Sequence, residues 1–146
     1  MLGMEELVRK LFGGTAYLAH WFEREELVLE LESVQKEAEC PHCKQKSSRV
    51  HSRYKRKFAD LPIKGHPTRV ILHCRKFFCD NPSCNHKAFT ESFDFIKPME
   101  SKTERLISEV LKVSGNNSSR KAKAILEEEG IKISKATICN LKNKNC

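Results

Sequence analysis

Two pairs of cysteines carry the plainest chemistry in this sequence. Cys40-Pro41-His42-Cys43 sets two thiols three positions apart, and Cys79-Asp80-Asn81-Pro82-Ser83-Cys84 sets two more five positions apart. A thiolate pair on a tight turn presents two sulfurs to one metal ion, and a second such turn completes a tetrahedron around zinc. Four sulfurs leave no open coordination position, so the metal would hold a fold together rather than activate a substrate. Three other fates compete. Disulfides belong to oxidising compartments, a redox C-x-x-C normally accompanies a βαβ pattern that is not visible here, and ordinary buried thiols would leave the pairing unexplained. The expectation is zinc held by Cys40, Cys43, Cys79 and Cys84. His42 and His86 stand beside ligand positions as substitutes, whereas Cys74, with no partner at knuckle spacing, reads as a packed core thiol.

The 35 residues between the pairs must bring the two turns together, and they read as two strands. In the first, Arg49, His51, Arg53, Lys55 and Lys57 alternate with Val50, Ser52, Tyr54 and Phe58, Arg56 being the exception. That pattern predicts a cationic stripe over a partly aromatic inner face. Asp60-Leu61-Pro62 is expected to end the strand and Lys64-Gly65-His66-Pro67 to make the turn. The return strand, residues 68 to 78, is expected to place Val70, Leu72, Cys74 and Phe78 on one face and Arg69, Ile71, His73 and Arg75 on the other. His51 and His73 read as surface or phosphate contacts rather than ligands.

Charge is distributed unevenly around this ribbon. The chain of 146 residues has a formal net charge of +8. Residues 1–39 hold four basic and nine acidic side chains, residues 40–90 twelve and two, and residues 91–146 eleven and eight. A positive field concentrated on one module is the footprint of a polyanion partner, although solvated charge runs are common. No run of eighteen apolar residues is present, which predicts no membrane helix. The segment from Met1 to Glu6 lacks a basic n-region and an apolar h-region, so a cytoplasmic protein without a signal peptide is expected.

Before the ribbon, residues 4–12 have helical spacing, with Met4, Leu7, Val8 and Leu11 on one side and Gly13-Gly14 as a stop. Two strands follow, 17–22 and 27–31, turned around Glu23 to Glu26, with Trp21 expected in the core of this lobe. After the ribbon the character becomes helical. Leu106, Ile107, Val110 and Leu111 form an apolar stripe, Gly115-Asn116-Asn117 breaks it, and Asn117 or Ser118 can cap a second helix reaching Glu129. Gly130 closes that helix and Ser134 caps a third, whose inner face is Ile138 and Leu141. Ala136, Cys139, Asn140 and Asn143 would face outward, flanked by Lys135 and Lys142. A capped helix, a short glycine turn and a second capped helix with a polar-basic face is the arrangement of a helix-turn-helix. Asparagine can pair with adenine and lysine can reach phosphate or guanine. A plain helical hairpin is the competing reading.

The ordered series Cys40-Pro41-x-Cys43, His51-Ser52-Arg53-Tyr54, Asp60-Leu61-Pro62, Arg75-Lys76-Phe77-Phe78-Cys79, Cys84 and Phe89-Thr90-Glu91 resembles the zinc-binding N-terminal region of the ISL-three family of bacterial insertion-sequence transposases. The Ser134-x-x-Thr137 segment resembles that family's helix-turn-helix, and the likeness spans roughly residues 5 to 145. It implies a protein that binds terminal inverted repeats of double-stranded DNA. Family members continue into a catalytic domain in which three carboxylates hold two metal ions. Here the aspartates are Asp60, Asp80 and Asp94, in no plausible cluster, so no enzymatic activity is expected of this chain.

The expected architecture is α+β, a β-rich four-cysteine zinc ribbon followed by a small helical helix-turn-helix domain. Its divisions are 1–39 (acidic helix and hairpin lobe), 40–98 (zinc ribbon) and 99–146 (helix-turn-helix). The expected DNA contacts are Arg49, Arg53, Lys55, Arg56, Lys57, Arg69, Arg75, Lys135, Asn140, Lys142 and Asn143. The alternative is a zinc-stabilised interaction adaptor or truncated transposase inhibitor, acting as a homodimer or on a full-length transposase.

Overall fold

The protein is described here from a computed structural model, which describes residues 3–144. Helix α1 (Met4–Leu11) has Glu5 and Glu6 in its first turn and Arg9 and Lys10 in its last, the order that complements the helix dipole. A hairpin follows, β1 (Thr15–Glu23) and β2 (Glu26–Ser33). Its two-residue turn, Arg24-Glu25, has φ of 49° and 69°, the double left-handed conformation that matches the twist of the flanking strands. A small hairpin, β3 (Ala38–Glu39) with β4 (Lys46–Ser47), carries the first cysteine pair. The long strands β5 (Val50–Ile63) and β6 (His66–Phe78) come next, and β7 (Ala88–Thr90) follows the second pair. Three helices complete the described residues: α2 (Glu104–Ser114), α3 (Ser119–Glu128) and α4 (Lys135–Lys144).

The main sheet has the order β1-β2-β6-β5, with β7 added to β6. β2 and β6 are parallel, while every other pair is antiparallel. The expected division after residue 39 therefore does not separate two cores, because the N-terminal hairpin and the ribbon share one sheet. One face of it is dry. Leu29 and Leu31 of β2, Phe58 of β5, and Val70, Leu72 and Cys74 of β6 are covered by Val8 and Phe12 from the α1 region and by Phe93 and Ile96. The opposite face is solvated on β5, as antiparallel sheets allow. A second core joins α2, α3 and α4 through Leu106, Val110, Ala122, Leu126, Ile138 and Leu141. A third, at the cysteine end, contains Ala38, Cys40, Phe77 and Phe89.

Three expectations need correction. β5 does not stop at Asp60 but runs through Leu61 and Pro62 to Ile63, with a register shift between Asp60 and Ile63. Proline, which lacks an N–H, is tolerated at such an irregularity. The turn then shrinks to Lys64-Gly65, with φ of 52° and 79°. In β6 the buried phenylalanine is Phe77, not Phe78, because alternation slips after Cys74 where β5 carries a second irregularity between Val50 and Ser52. Trp21 lies only half-buried on β1, its indole N–H donating to Glu23, so it is not a core residue.

Candidate metal centre and basic surface

Two turns aim four sulfurs at one point. In the first, the Cys40 N–H donates to Gln45 O, the Lys44 N–H donates to Cys40 O, and Lys44 takes a left-handed φ of 67°. In the second, the Asn81 side chain accepts from the Ser83 N–H and the Asn81 carbonyl from the Cys84 N–H. The Cys79 N–H is tied to Lys87 O on the return into β7. Cys43 and Cys79 sulfurs lie 3.6 Å apart, Cys40 and Cys84 sulfurs 4.0 Å apart, and all four lie within 4.8 Å of one another. A zinc tetrahedron with bonds of about 2.3 Å calls for sulfur separations of about 3.8 Å. The donor set, spacing and number all fit the ion. His42 and His86 are not in this cluster; their rings stack on each other 3.4 Å apart at 7°.

Electrostatics suit a cation. The Asn81 side chain and the Gln45 backbone hold the Cys43 thiol down to about 6. Although the Asn81 backbone draws Cys79 down, burial and the neighbouring sulfurs push it up to about 12. Four thiolates cannot gather without a positive centre, which zinc supplies. Cys74 is a different kind of cysteine. It is buried in the sheet core, and burial pushes its thiol up to about 11. It is the packed thiol that its spacing predicts.

The metal fastens the ends of β5 and β6, and a charged strap reinforces it. Arg49 pairs with Asp80 inside the second cysteine turn while its guanidinium lies 4.1 Å over the Phe78 ring. That hydrogen bond holds the Asp80 carboxyl below its ordinary range. Two carboxylates with fully buried side chains do comparable work further along. Glu91 accepts from the Arg75 backbone N–H at 2.7 Å and pairs with its guanidinium, which also donates to the Gln35 carbonyl. Asp60 accepts from the Thr103 hydroxyl at 2.6 Å and from Arg105 Nε at 2.7 Å, joining the long hairpin to the start of α2. Sequence reasoning placed both acids in family motifs without assigning them a task. Their signal was an isolated acid within a basic stretch.

A ribbon whose knuckles supply two cysteines each is a zinc ribbon, and its class is recognisable. Residues 36–84 match the family model described as the zinc-finger of transposase IS204/IS1001/IS1096/IS1165, a stretch that includes both knuckles and the long hairpin. No curated protein and no solved structure gives a significant match. The chain thus carries a transposase-type zinc ribbon, and its structural metal is zinc bound by Cys40, Cys43, Cys79 and Cys84.

The expected DNA contacts divide sharply once side chains are placed. Arg75 is removed from the exposed set: its side chain is 19% exposed and held by Glu91, Ser33 and Gln35. Arg56, the exception to the alternation, lies on the packed face opposite Leu72 and donates to the Lys97 and Glu100 carbonyls. Arg69 pairs with Glu23 and Glu26, and Arg49 with Asp80. Lys142 donates to the Asn117 carbonyl, and the Cys139 thiol sits 3.1 Å from the Ser119 hydroxyl instead of facing out. His73 meets Glu30 at 2.7 Å. By contrast, Arg53, Lys55 and Lys57 stand exposed on the solvated face of β5, and Lys135, Asn140 and Asn143 stand exposed on α4. Ser134 caps α4 by accepting from the Thr137 N–H at 3.1 Å. No helix among the described residues is long and apolar enough to cross a membrane.

Proposed function

We propose that the protein is a zinc-dependent DNA-binding module of a transposase-like protein that recognises terminal inverted-repeat DNA. The observation that carries the reading is the row Arg53, Lys55 and Lys57, exposed on a hairpin whose far end zinc fixes. Their neighbours are neutralised by acids of the same chain, and these three are left to the solvent. Phosphate contacts from such a row would set the register on the duplex, while α2, α3 and α4 would act as a helix-turn-helix with α4 in the major groove. Lys135, Asn140 and Asn143 would then face the groove, Asn140 being suited to adenine. The chain would not itself cut DNA, because two-metal cleavage needs clustered carboxylates, and Asp60 is buried in an ion pair.

Fluorescence anisotropy with inverted-repeat and scrambled duplexes tests the reading. Affinity should fall steeply with salt, and Asn140→Ala should narrow the gap between the two duplexes while Lys55→Ala weakens both alike. A flat salt response would overturn it. Nicking of DNA by the purified zinc-loaded chain with magnesium would overturn the non-catalytic part.

A further inference from the structure

The free edge of the sheet is unlike the rest of the surface. β1 is hydrogen-bonded to β2 on one side and to no strand of the described residues on the other. From Thr15 to Phe22 it contains no Asp, Glu, Lys or Arg, in a chain where 32% of residues are charged. Proteins normally blunt such an edge with charge or proline, because open N–H and C=O groups recruit another strand. Here two large apolar side chains stand in solvent on it, Leu18 at 42% exposure and Phe22 at 56%.

The strand is complementary to itself. Its hairpin closes on the pair Glu23–Glu26, so alternation points the backbone groups of Phe22 and His20 away from β2. Laid antiparallel against a second copy about His20, the strand sets Leu18 opposite Phe22 of the partner subunit and Phe22 opposite the partner's Leu18. Both exposed apolar side chains are then covered at once. The irregularity between Tyr17 and Ala19 limits the pairing to residues 18–22. Charge agrees with this register. The turn Glu23-Arg24-Glu25 of each copy arrives beside Ala16 and Tyr17 of the other, at a hollow of 320 Å³ that Glu5 and Arg9 also line. Arg9 there is suited to an incoming glutamate and Glu5 to an incoming arginine.

We propose that the β1 edge is a two-fold interface between two copies of this chain, pairing residues 18–22 with His20 opposite its own counterpart. The pairing joins two sheets into one and does not depend on DNA binding. Sedimentation of the zinc-loaded chain without DNA should show mass rising with concentration from 16.8 kDa toward twice that value. The double variant Leu18→Lys, Phe22→Lys should stay monomeric with unchanged zinc content. In a Cys139→Ser, Cys146→Ser background, His20→Cys should cross-link on mild oxidation, since directly opposed hydrogen-bonded residues lie about 5.5 Å apart, within disulfide reach. Leu18→Cys alone should not cross-link, whereas a mixture of Leu18→Cys and Phe22→Cys chains should. A constant monomer mass, or cross-linking of Leu18→Cys as efficient as that of His20→Cys, would overturn the interface.

Discussion

At Asp60 and Glu91 single atoms decide how the chain is joined. Each is an acid with a buried side chain facing an arginine, and removing one member of such a pair strands the other. Asp60→Ala and Glu91→Ala should each lower unfolding free energy by about 3 kcal/mol in a urea titration. Arg53→Ala, at an exposed position, should leave stability within about 0.5 kcal/mol and reduce the salt slope of DNA binding by about 0.9. A stability loss for Arg53→Ala matching that of Asp60→Ala would contradict this division. Alkaline pH probes the core. Burial pushes Tyr54 from 10.0 up to about 12 and Cys74 from 9.0 up to about 11. Both folded-state values are raised, so their stabilisation is intact below pH 9 and is lost as pH rises through 11 and then 12. Tyrosine absorbance should therefore show Tyr54 ionising late and together with unfolding.

At the scale of elements, the β5–β6 hairpin connects the zinc end to the helices. Its tip meets the helical region at Gly130, where φ is +87° and an added Cβ would lie 3.3 Å from both the Gly65 carbonyl and Pro62. Gly130→Ala should cost about 1–2 kcal/mol, read by thermal unfolding, because both the backbone conformation and the close approach favour glycine. Lys64→Asn should instead stabilise by a few tenths of a kcal/mol, since asparagine tolerates the left-handed turn better. The elements themselves were largely legible. Gly13-Gly14, Ser118, Gly130 and Ser134 punctuate the helices locally, and alternation marks β2, β5 and β6. The end of β5 and the phase of Phe77 were not legible, because both depend on irregular pairing between distant strands. Which arginines remain available was hidden for the same reason. Arg75 finds its acid 16 residues away, and Arg56 finds its carbonyl 41 residues away.

For the whole molecule, three cores are linked by one hairpin, and only the core at the cysteine end contains the metal ligands. The quartet was readable from sequence because ligand spacing is a property of two short turns. The sharing of one sheet by the N-terminal hairpin and the ribbon was not, since it rests on the parallel β2–β6 pairing. Chelation should accordingly loosen the end around Phe77 and Phe89 first, with hydrogen-exchange protection persisting at Leu29, Val70 and Leu72. The most direct test of the central claim is X-ray absorption at the zinc edge on the purified chain, with metal content measured on the same sample. One zinc per chain, surrounded by four sulfurs at about 2.3 Å, is the expected result. A chain that folds and holds no zinc, or a zinc bound by nitrogen or oxygen in place of one of those sulfurs, would contradict it.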